Sequence, residues 1–300
     1  MPDFLRLSLC IFCLALTACS KPDSVTSLDK DGLTALVFKD WKPAEKDKAI
    51  GHPVVRMDKE RKDKEQMKLR PLQVHRLGDD RAVLLLAAEP VIAGHSTPGV
   101  LGAYWFKRTD GRWSLDKRQD EVGWMGIFGR FHETEIHELW PGHFALAVYW
   151  YDAGGGQESK YLSLFKLDEQ AVTAMIKEDS LLLDTSTEGT QGCEERMQQV
   201  PGKKIRKRWN DVDTPPVECH DLKSTWVIKK GQTTPGELII DSAAIVFTNK
   251  EIGHDADQDG ETYTNYDFTA LASKGKQVFR YDAATGLYQR ISGKSLLHYL

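Results

Sequence analysis

The sequence lacks an excess of charge of either sign, and it lacks a long apolar segment. Its 300 residues contain 40 Lys and Arg against 44 Asp and Glu, a formal net charge of −4. Such a balance argues against general nucleic-acid binding, which needs a strongly basic surface. The apolar run Leu7–Ala18 is too short for a helix across the roughly 30 Å hydrocarbon layer, and a mean hydropathy of −0.44 excludes a polytopic membrane protein.

The same apolar run has the length of the central region of a secretory signal. It ends in Leu16-Thr17-Ala18-Cys19, which resembles the lipobox of bacterial lipoproteins. The resemblance implies that residues 1–18 are a cleaved signal peptide and that the Cys19 thiol and the new amino group are acylated. Several acyl chains hold a protein on a membrane, whereas one chain binds only marginally and reversibly. Ser20 after the cysteine implies export to the outer membrane.

Cysteine is scarce beyond this segment. Cys10 and Cys13 lie in the expected signal peptide and Cys19 is the expected lipidation site, so only Cys193 and Cys219 remain. An even pair in an exported protein predicts one disulfide. In the loop-entropy model a ring of this size stabilises a protein by about 3.5 kcal/mol. Neither cysteine has a second one at CxxC spacing, which argues against a metal pair.

Sustained helical periodicity is also missing. After Pro71, short apolar or alternating runs rich in Val, Ile, Phe, Tyr and Trp are separated by Gly, Asp and Asn, as is typical of β-strands. The clearest runs are Arg81–Ala88, Gly102–Lys107, Phe144–Tyr151, Tyr161–Leu167, Glu237–Thr248 and Val278–Tyr281. We therefore predict an all-β domain over residues 71–300, an antiparallel meander of hairpins.

Three hairpin units share an aromatic strand, a turn with Asp or Gly, and a second strand. They contain Phe106, Phe165 and Phe279, which are 59 and 114 residues apart. Antiparallel hairpins at such intervals fit propeller-like blades or a β-sandwich. The same spacing also arises by chance in any hairpin-rich protein, so both architectures remain open.

Residues 19–70 predict a lipid-anchored charged tether, disordered or with a short helix. The segment Met57–Lys68 is almost entirely charged, and its i,i+4 pairs of opposite charge support a short solvated helix. The apolar patch Leu33–Trp41 is compatible with a strand that returns to the main domain. As a flexible coil, about 50 residues reach roughly 40 Å from the lipid anchor.

An acidic turn near the carboxyl end is the best candidate for a metal ligand set. Asp255, Asp257 and Asp259 alternate ahead of a glycine, an arrangement that directs carboxylates at one calcium ion. Tyr266 and Tyr263 occupy the positions where helix–loop–helix and integrin-type propeller loops supply a further carboxylate. A structural calcium site and a plain acidic hairpin turn are the two interpretations.

A second group of potential ligands lies between His132 and Glu138. The zinc signature HExxH needs its second histidine at i+4 on a helix, and here the second histidine is at i+5. On a strand, Glu133, Glu135 and His137 share one face. A solvated polar strand face is therefore favoured over a metal site.

A basic run lies inside the predicted disulfide ring. Five cations fall within six residues, namely Lys203, Lys204, Arg206, Lys207 and Arg208. A constrained loop of this kind suits lipid phosphate, lipopolysaccharide or an acidic partner. A solvated loop with no ligand is the alternative.

Complete catalytic motifs are missing from the linear sequence. The segment Gly94–Gly99 reads GxSxxG instead of GxSxG, and Gly293–Ser295 lacks the earlier glycine of a phosphate loop. We therefore predict an envelope lipoprotein, held on the membrane by its lipid and facing the periplasm, that acts without catalysis as an interaction or structural module. Its expected partner is an envelope protein or glycan. The alternative is an envelope hydrolase or glycan-binding protein that uses Glu133, Glu135, His137 and nearby tryptophans.

Overall fold

The computed structural model describes residues 23–53, 65–177, 180–190, 193, 204–209, 218–256, 258 and 260–296, with residues 204–209 as backbone. Within them the chain forms one helix, α1 (Lys30–Val37), a 3₁₀ turn (Pro43–Glu45) and sixteen strands. The strands are β1 (Ser24–Val25), β2 (Ile50–His52), β3 (Glu65–Arg76), β4 (Arg81–Pro90), β5 (Gly99–Thr109), β6 (Arg112–Met125), β7 (Glu133–Trp140), β8 (His143–Gly154), β9 (Gln157–Leu167), β10 (Val172–Ala174), β11 (Leu181–Ser186), β12 (Lys204–Trp209), β13 (Cys219–Ile228), β14 (Leu238–Ala256), β15 (Thr262–Asp282) and β16 (Leu287–Ser292).

The strands of the described chain form two antiparallel sheets. The first sheet has the order β1-β6-β5-β4-β3-β2. The second has the order β12-β15-β14-β13-β11-β9-β8-β7, with β10 beside β9 and β16 beside β15. Most neighbours in each sheet are also consecutive along the chain, which is the meander that hairpin-rich sequences form. The predicted all-β class is confirmed.

The predicted hairpin units are present, in different sheets. The turn between β5 and β6 has Asp110 at φ 50° and Gly111 at φ 77°, the paired left-handed conformations of a tight hairpin. Strand pairs β9–β10 and β15–β16 form the other two units. Because the first unit belongs to one sheet and the other two to a second sheet, the units are not separate propeller blades.

Strand β4 lies between two apolar layers. Leu85 belongs to a buried cluster that includes Leu146 and Phe165 of the second sheet. Leu84, on the opposite face, belongs to a cluster that includes Leu33 of α1. A strand covered on both sides needs a continuous apolar run, which explains the sequence RAVLLLAA. The two sheets thus pack face to face as a β-sandwich, with α1 on the outer side of the first sheet.

Helix α1 forms where the sequence was compatible with a strand. The Asp29 carboxylate caps the helix by accepting a hydrogen bond from the Gly32 amide at 2.6 Å. Leu33, Leu36 and Val37, spaced three and four residues apart, are buried against the first sheet. The patch does return to the main domain, as expected, but as a helix.

Much of the expected tether is part of the folded domain. Val25 of β1 pairs with Trp113 of β6, and the Arg112 guanidinium donates to the Ser24 hydroxyl at 2.7 Å. Trp41 is 2 % exposed in the core beside α1. Within the predicted tether, residues 24–25, 50–52 and 65–70 therefore belong to the first sheet, and α1 packs against it.

The second sheet curls so that its two ends share a core. Leu164 of β9 belongs to a buried cluster with Ile240 of β14 and Phe279 of β15. At the rim of this cluster the Gly231 amide donates to the Leu139 carbonyl at 2.8 Å, which joins the segment after β13 to β7. This curl brings β13 close to β7 and β8, although several strands separate them in the sheet order.

A disulfide secures the long hairpin at the other end of this sheet. Cys193 and Cys219 are bonded, as predicted, with their Cα atoms 5.6 Å apart. Both are buried with Phe247 of β14 and Ala270 of β15. Because β14 and β15 extend well beyond the partners that β13 offers, this small cluster fixes the hairpin to the rest of the sheet.

Candidate ligand-binding site

The predicted polar face of residues 133–137 is present on a strand. Glu133, Glu135 and His137 alternate along β7, the last strand of the second sheet. Glu133 pairs with Tyr149, and Glu135 pairs with Ala147 of β8. The strand conformation confirms that the three side chains share one face.

Four of the side chains near this face form one contact group, the aromatic–carboxylate cluster of Glu135, His137, Tyr149 and Trp226. Tyr149 Oη donates to Glu135 Oε2 at 3.1 Å, and His137 Nε2 lies 3.2 Å from the same oxygen. Trp226 Nε1 donates to Tyr149 Oη at 3.1 Å. The His137 ring meets the Trp226 ring edge-on with 4.9 Å between centroids. The curl of the sheet supplies Trp226, which lies on β13.

Burial and the nearby Glu135 carboxylate keep the phenol of Tyr149 protonated. Tyr149 is 7 % exposed, and this burial, together with the negative charge of Glu135, raises its pKa to about 12. The phenol therefore stays protonated at neutral pH and acts as a hydrogen-bond donor. Glu135 keeps a half-exposed carboxylate, which is available to a ligand from the solvent side.

Lys160 of β9 lies beside the Tyr149 ring of this cluster. Its ammonium lies 4.8 Å from the centroid of the Tyr149 ring and 5.8 Å from that of the Tyr151 ring. Cation–π contacts of this kind are worth about 0.5–1 kcal/mol at exposed sites. Tyr151 is 38 % exposed, so the row of aromatic rings reaches the surface here.

A polar groove adjoins Tyr151 and Lys160. A cavity of about 140 Å³ beside these two residues shares Glu158, Ser186 and Lys223 with a second cavity of about 400 Å³. We call the two cavities together the polar groove. Asp184 and Glu188 line it as well, so that its walls carry charges of both signs. Such a lining suits an uncharged, hydrogen-bonding or zwitterionic ligand better than a strongly charged one.

A run of three glycines at the turn between β8 and β9 lines one part of this groove. Residues 154–156 connect β8 and β9, and Gly156 has φ 82°. A Cβ at Gly156 would lie 2.3 Å from the Gly189 carbonyl oxygen, so that only glycine allows this close approach. The His95 ring contacts the Ala153 carbonyl, which joins this tip to the loop between β4 and β5.

Other predicted site residues lie apart from this face. Asp255 is on β14 and accepts a hydrogen bond from Asn265 at 2.8 Å, while Asp257 and Asp259 lie outside the described residues. In the part of the chain that the structure describes, no group of three or more His, Cys, Asp or Glu side chains is placed to hold a metal. The lipidation site Cys19 lies outside the described residues as well.

The basic run forms a strand where a loop was expected. The backbone of residues 204–209, which include Lys204, Arg206, Lys207 and Arg208, is β12 and pairs with β15. The side chains of this strand, and Lys203, lie outside the described residues.

Sequence reasoning named Glu135 and His137 but missed the residues that surround them. Tyr149 and Lys160 lie in runs that were predicted as strands, and their alternation with buried residues was the available signal. Trp226 is 77 residues from Tyr149, and no local pattern links the two.

Comparison with known proteins gives no match: no protein-family model, no curated protein and no solved structure matches this chain. Across the described residues, no helix has the length and apolarity needed to cross a bilayer.

Proposed function

We propose that the protein is a lipid-anchored protein of the bacterial cell envelope whose second sheet binds a ligand without transforming it. The lipobox at Leu16–Cys19 supports the anchor, and the Cys193–Cys219 disulfide supports an oxidising compartment outside the cytoplasm. Ser20 supports the outer membrane, with the domain facing the periplasm. The observation that carries the binding role is the aromatic–carboxylate cluster beside the polar groove.

The contacts within the cluster favour binding over catalysis. Tyr149 is a protonated donor at neutral pH, and Glu135 accepts its hydrogen bond, so neither group is poised as a nucleophile. Glu133 and Glu135 lie on one face of a single strand, whereas glycoside hydrolysis needs two carboxyl groups on opposite sides of the scissile bond. The geometry therefore supports recognition.

A glycan is the ligand class that this surface favours. Polyhydroxylated chains carry no charge of their own, pack on aromatic rings and donate hydrogen bonds to carboxylates. Trp226 and Tyr151 offer aromatic surface, and Glu135 offers a carboxylate in the same cluster as Trp226. A hydrolase acting on the same glycan, with Glu133, Glu135 and His137 at its centre, is the second candidate.

The binding role is tested by titrating the purified full-length protein with soluble glycan strands prepared from the cell envelope. Glu135→Gln keeps the side-chain shape and removes the charge, so we expect affinity to fall about tenfold, the effect of one hydrogen bond to a charged group. Glu251→Gln, on the exposed part of β14, is the matched control and should bind like wild type.

Equal affinity of the Glu135 variant and wild type would contradict the proposed site. Release of shortened glycan by wild type, lost in Glu135→Gln, would instead establish the hydrolase.

The anchor is tested separately with Cys19→Ala. Because the thiol is the proposed attachment atom, this variant should incorporate no labelled fatty acid and should accumulate as precursor. Incorporation equal to that of wild type would refute the anchor, and Cys219→Ser, which leaves Cys19 intact, should still be labelled.

A further inference from the structure

A small apolar cavity lies where the described chain begins. It has a volume of about 280 Å³ and lies between β1, α1 and the turn that follows the helix. Its walls are mainly hydrocarbon, contributed by Val25, Ala35, Leu36, Trp41 and Pro43. Leu36 and Trp41 are almost fully buried, while Val25 and Ala35 are half-buried at the entrance.

The charge of the lysine that lines this cavity is held outside it. Lys42 also lines the cavity, but its ammonium pairs with Glu45 at 3.0 Å and its side chain is 56 % exposed. A lysine in this arrangement offers methylene groups to an apolar cavity and keeps its charge in water. The cavity is therefore suited to a hydrocarbon chain.

The length of the chain before β1 identifies the hydrocarbon. Cys19 precedes Val25 by six residues, which span at most about 20 Å when fully extended. Val25 itself lines the cavity. An acyl chain attached at Cys19 can therefore reach the entrance.

We propose that one acyl chain of the lipidated Cys19 lies in this cavity. The proposal rests on the lipid anchor proposed above. Transfer of hydrocarbon between a bilayer and an apolar cavity changes little in free energy, so the chain divides its time between the two. Each methylene withheld from the bilayer lowers membrane partitioning about fourfold. The cavity therefore shelters part of the anchor from water whenever the protein is away from a bilayer.

The test uses the full lipidated protein from cells grown with a fatty acid that carries a photoreactive diazirine near its end. The protein is irradiated in neutral detergent micelles, and the cross-linked peptides are identified by mass spectrometry. We expect cross-links within residues 25–43. In Ala35→Trp the indole fills the cavity, so these cross-links should fall about tenfold. Ala284→Trp, in the exposed turn before β16, should leave them unchanged.

The outcomes separate the two proposals. A labelled protein whose cross-links avoid residues 25–43, or are equal in Ala35→Trp, would overturn the cavity proposal and leave the anchor intact. An unlabelled protein would overturn both. Thermal unfolding checks that Ala35→Trp folds, and Val25→Trp, which fills the same cavity from β1, replaces it if it does not.

Discussion

The first and second sheets bury their side chains in different ways. In the first sheet, β4 is covered by α1 on one face and by the second sheet on the other, and Leu84 and Leu85 are fully buried. In the second sheet, one face of β9 changes along the strand from buried Leu164 to partly exposed Lys160. The first sheet is thus covered on both faces along β4, whereas the second sheet leaves part of one face of β9 open, beside the proposed recognition surface.

The variant with the largest expected effect in this comparison is Leu85→Ala. Leu85 is buried between the two sheets, so its truncation leaves a cavity that neither layer can easily fill, and we expect a loss of about 4 kcal/mol in the free energy of unfolding. Urea unfolding followed by tryptophan fluorescence measures it. Lys160→Met, in the proposed recognition surface, should lose less than about 1 kcal/mol. Similar losses for the two variants would break the comparison.

The disulfide gives the next largest effect. The part of the second sheet around Cys219 has only a small core of its own, so we expect the bond to contribute about 3.5 kcal/mol. The double variant with serine at Cys193 and Cys219 should have a lower thermal midpoint, and reductant should shift wild type in the same direction. If reductant leaves the thermal midpoint of wild type unchanged, the long hairpin is held by packing alone.

The smallest of the three effects concerns pH and the first sheet. Burial lowers the pKa of His52 from 6.5 to about 4. Between these two pH values the unfolded chain therefore binds a proton at His52 that the folded protein does not bind. The contribution of neutral His52 to the free energy of unfolding should therefore be fully present above pH 6.5. It should fall by about 3 kcal/mol as the pH drops toward 4. Denaturant titrations at several pH values should show a smaller decline for His52→Gln than for wild type. The exposed His254, changed to Gln, serves as control, and an unchanged decline in His52→Gln would exclude His52 as the source.

Strands could be predicted from the sequence because burial of a strand imposes a simple pattern of apolar residues. Arg81–Ala88 is continuously apolar since both faces of β4 are covered, and Phe144–Tyr151 has the β-branched and aromatic residues of a strand. Helix α1 was missed because its apolar residues occupy only two turns, a length at which strand and helix patterns look alike. Asp29, a helix-capping residue directly before this run, was the overlooked signal.

Strand β3 was missed for a different reason. It follows a highly charged segment and contains Pro71, which argues against a strand in sequence reasoning. The structure accommodates Pro71 at a change of register between Pro71 and Gln73, so the lost backbone donor does not interrupt the sheet.

The candidate site was only partly predictable. Alternation placed Glu133, Glu135 and His137 on one face, since a strand has a fixed period of two residues. The contact between Tyr149 and Trp226 depends on how far the second sheet curls. Sheet curvature is set by many side-chain contacts at once, and no local sequence pattern records it.

The pairing of Ser24 with β6 also fixes the point at which the chain enters the fold. The chain enters the fold beside the turn from β5 to β6, whereas the tip between β8 and β9 touches the loop at the opposite end of β5. The eleven residues of β5 separate these ends by about 35 Å. With Cys19 held in lipid as proposed, the few residues before β1 keep this entry point near the bilayer, so the tip between β8 and β9, next to the proposed binding surface, lies about one strand length farther out.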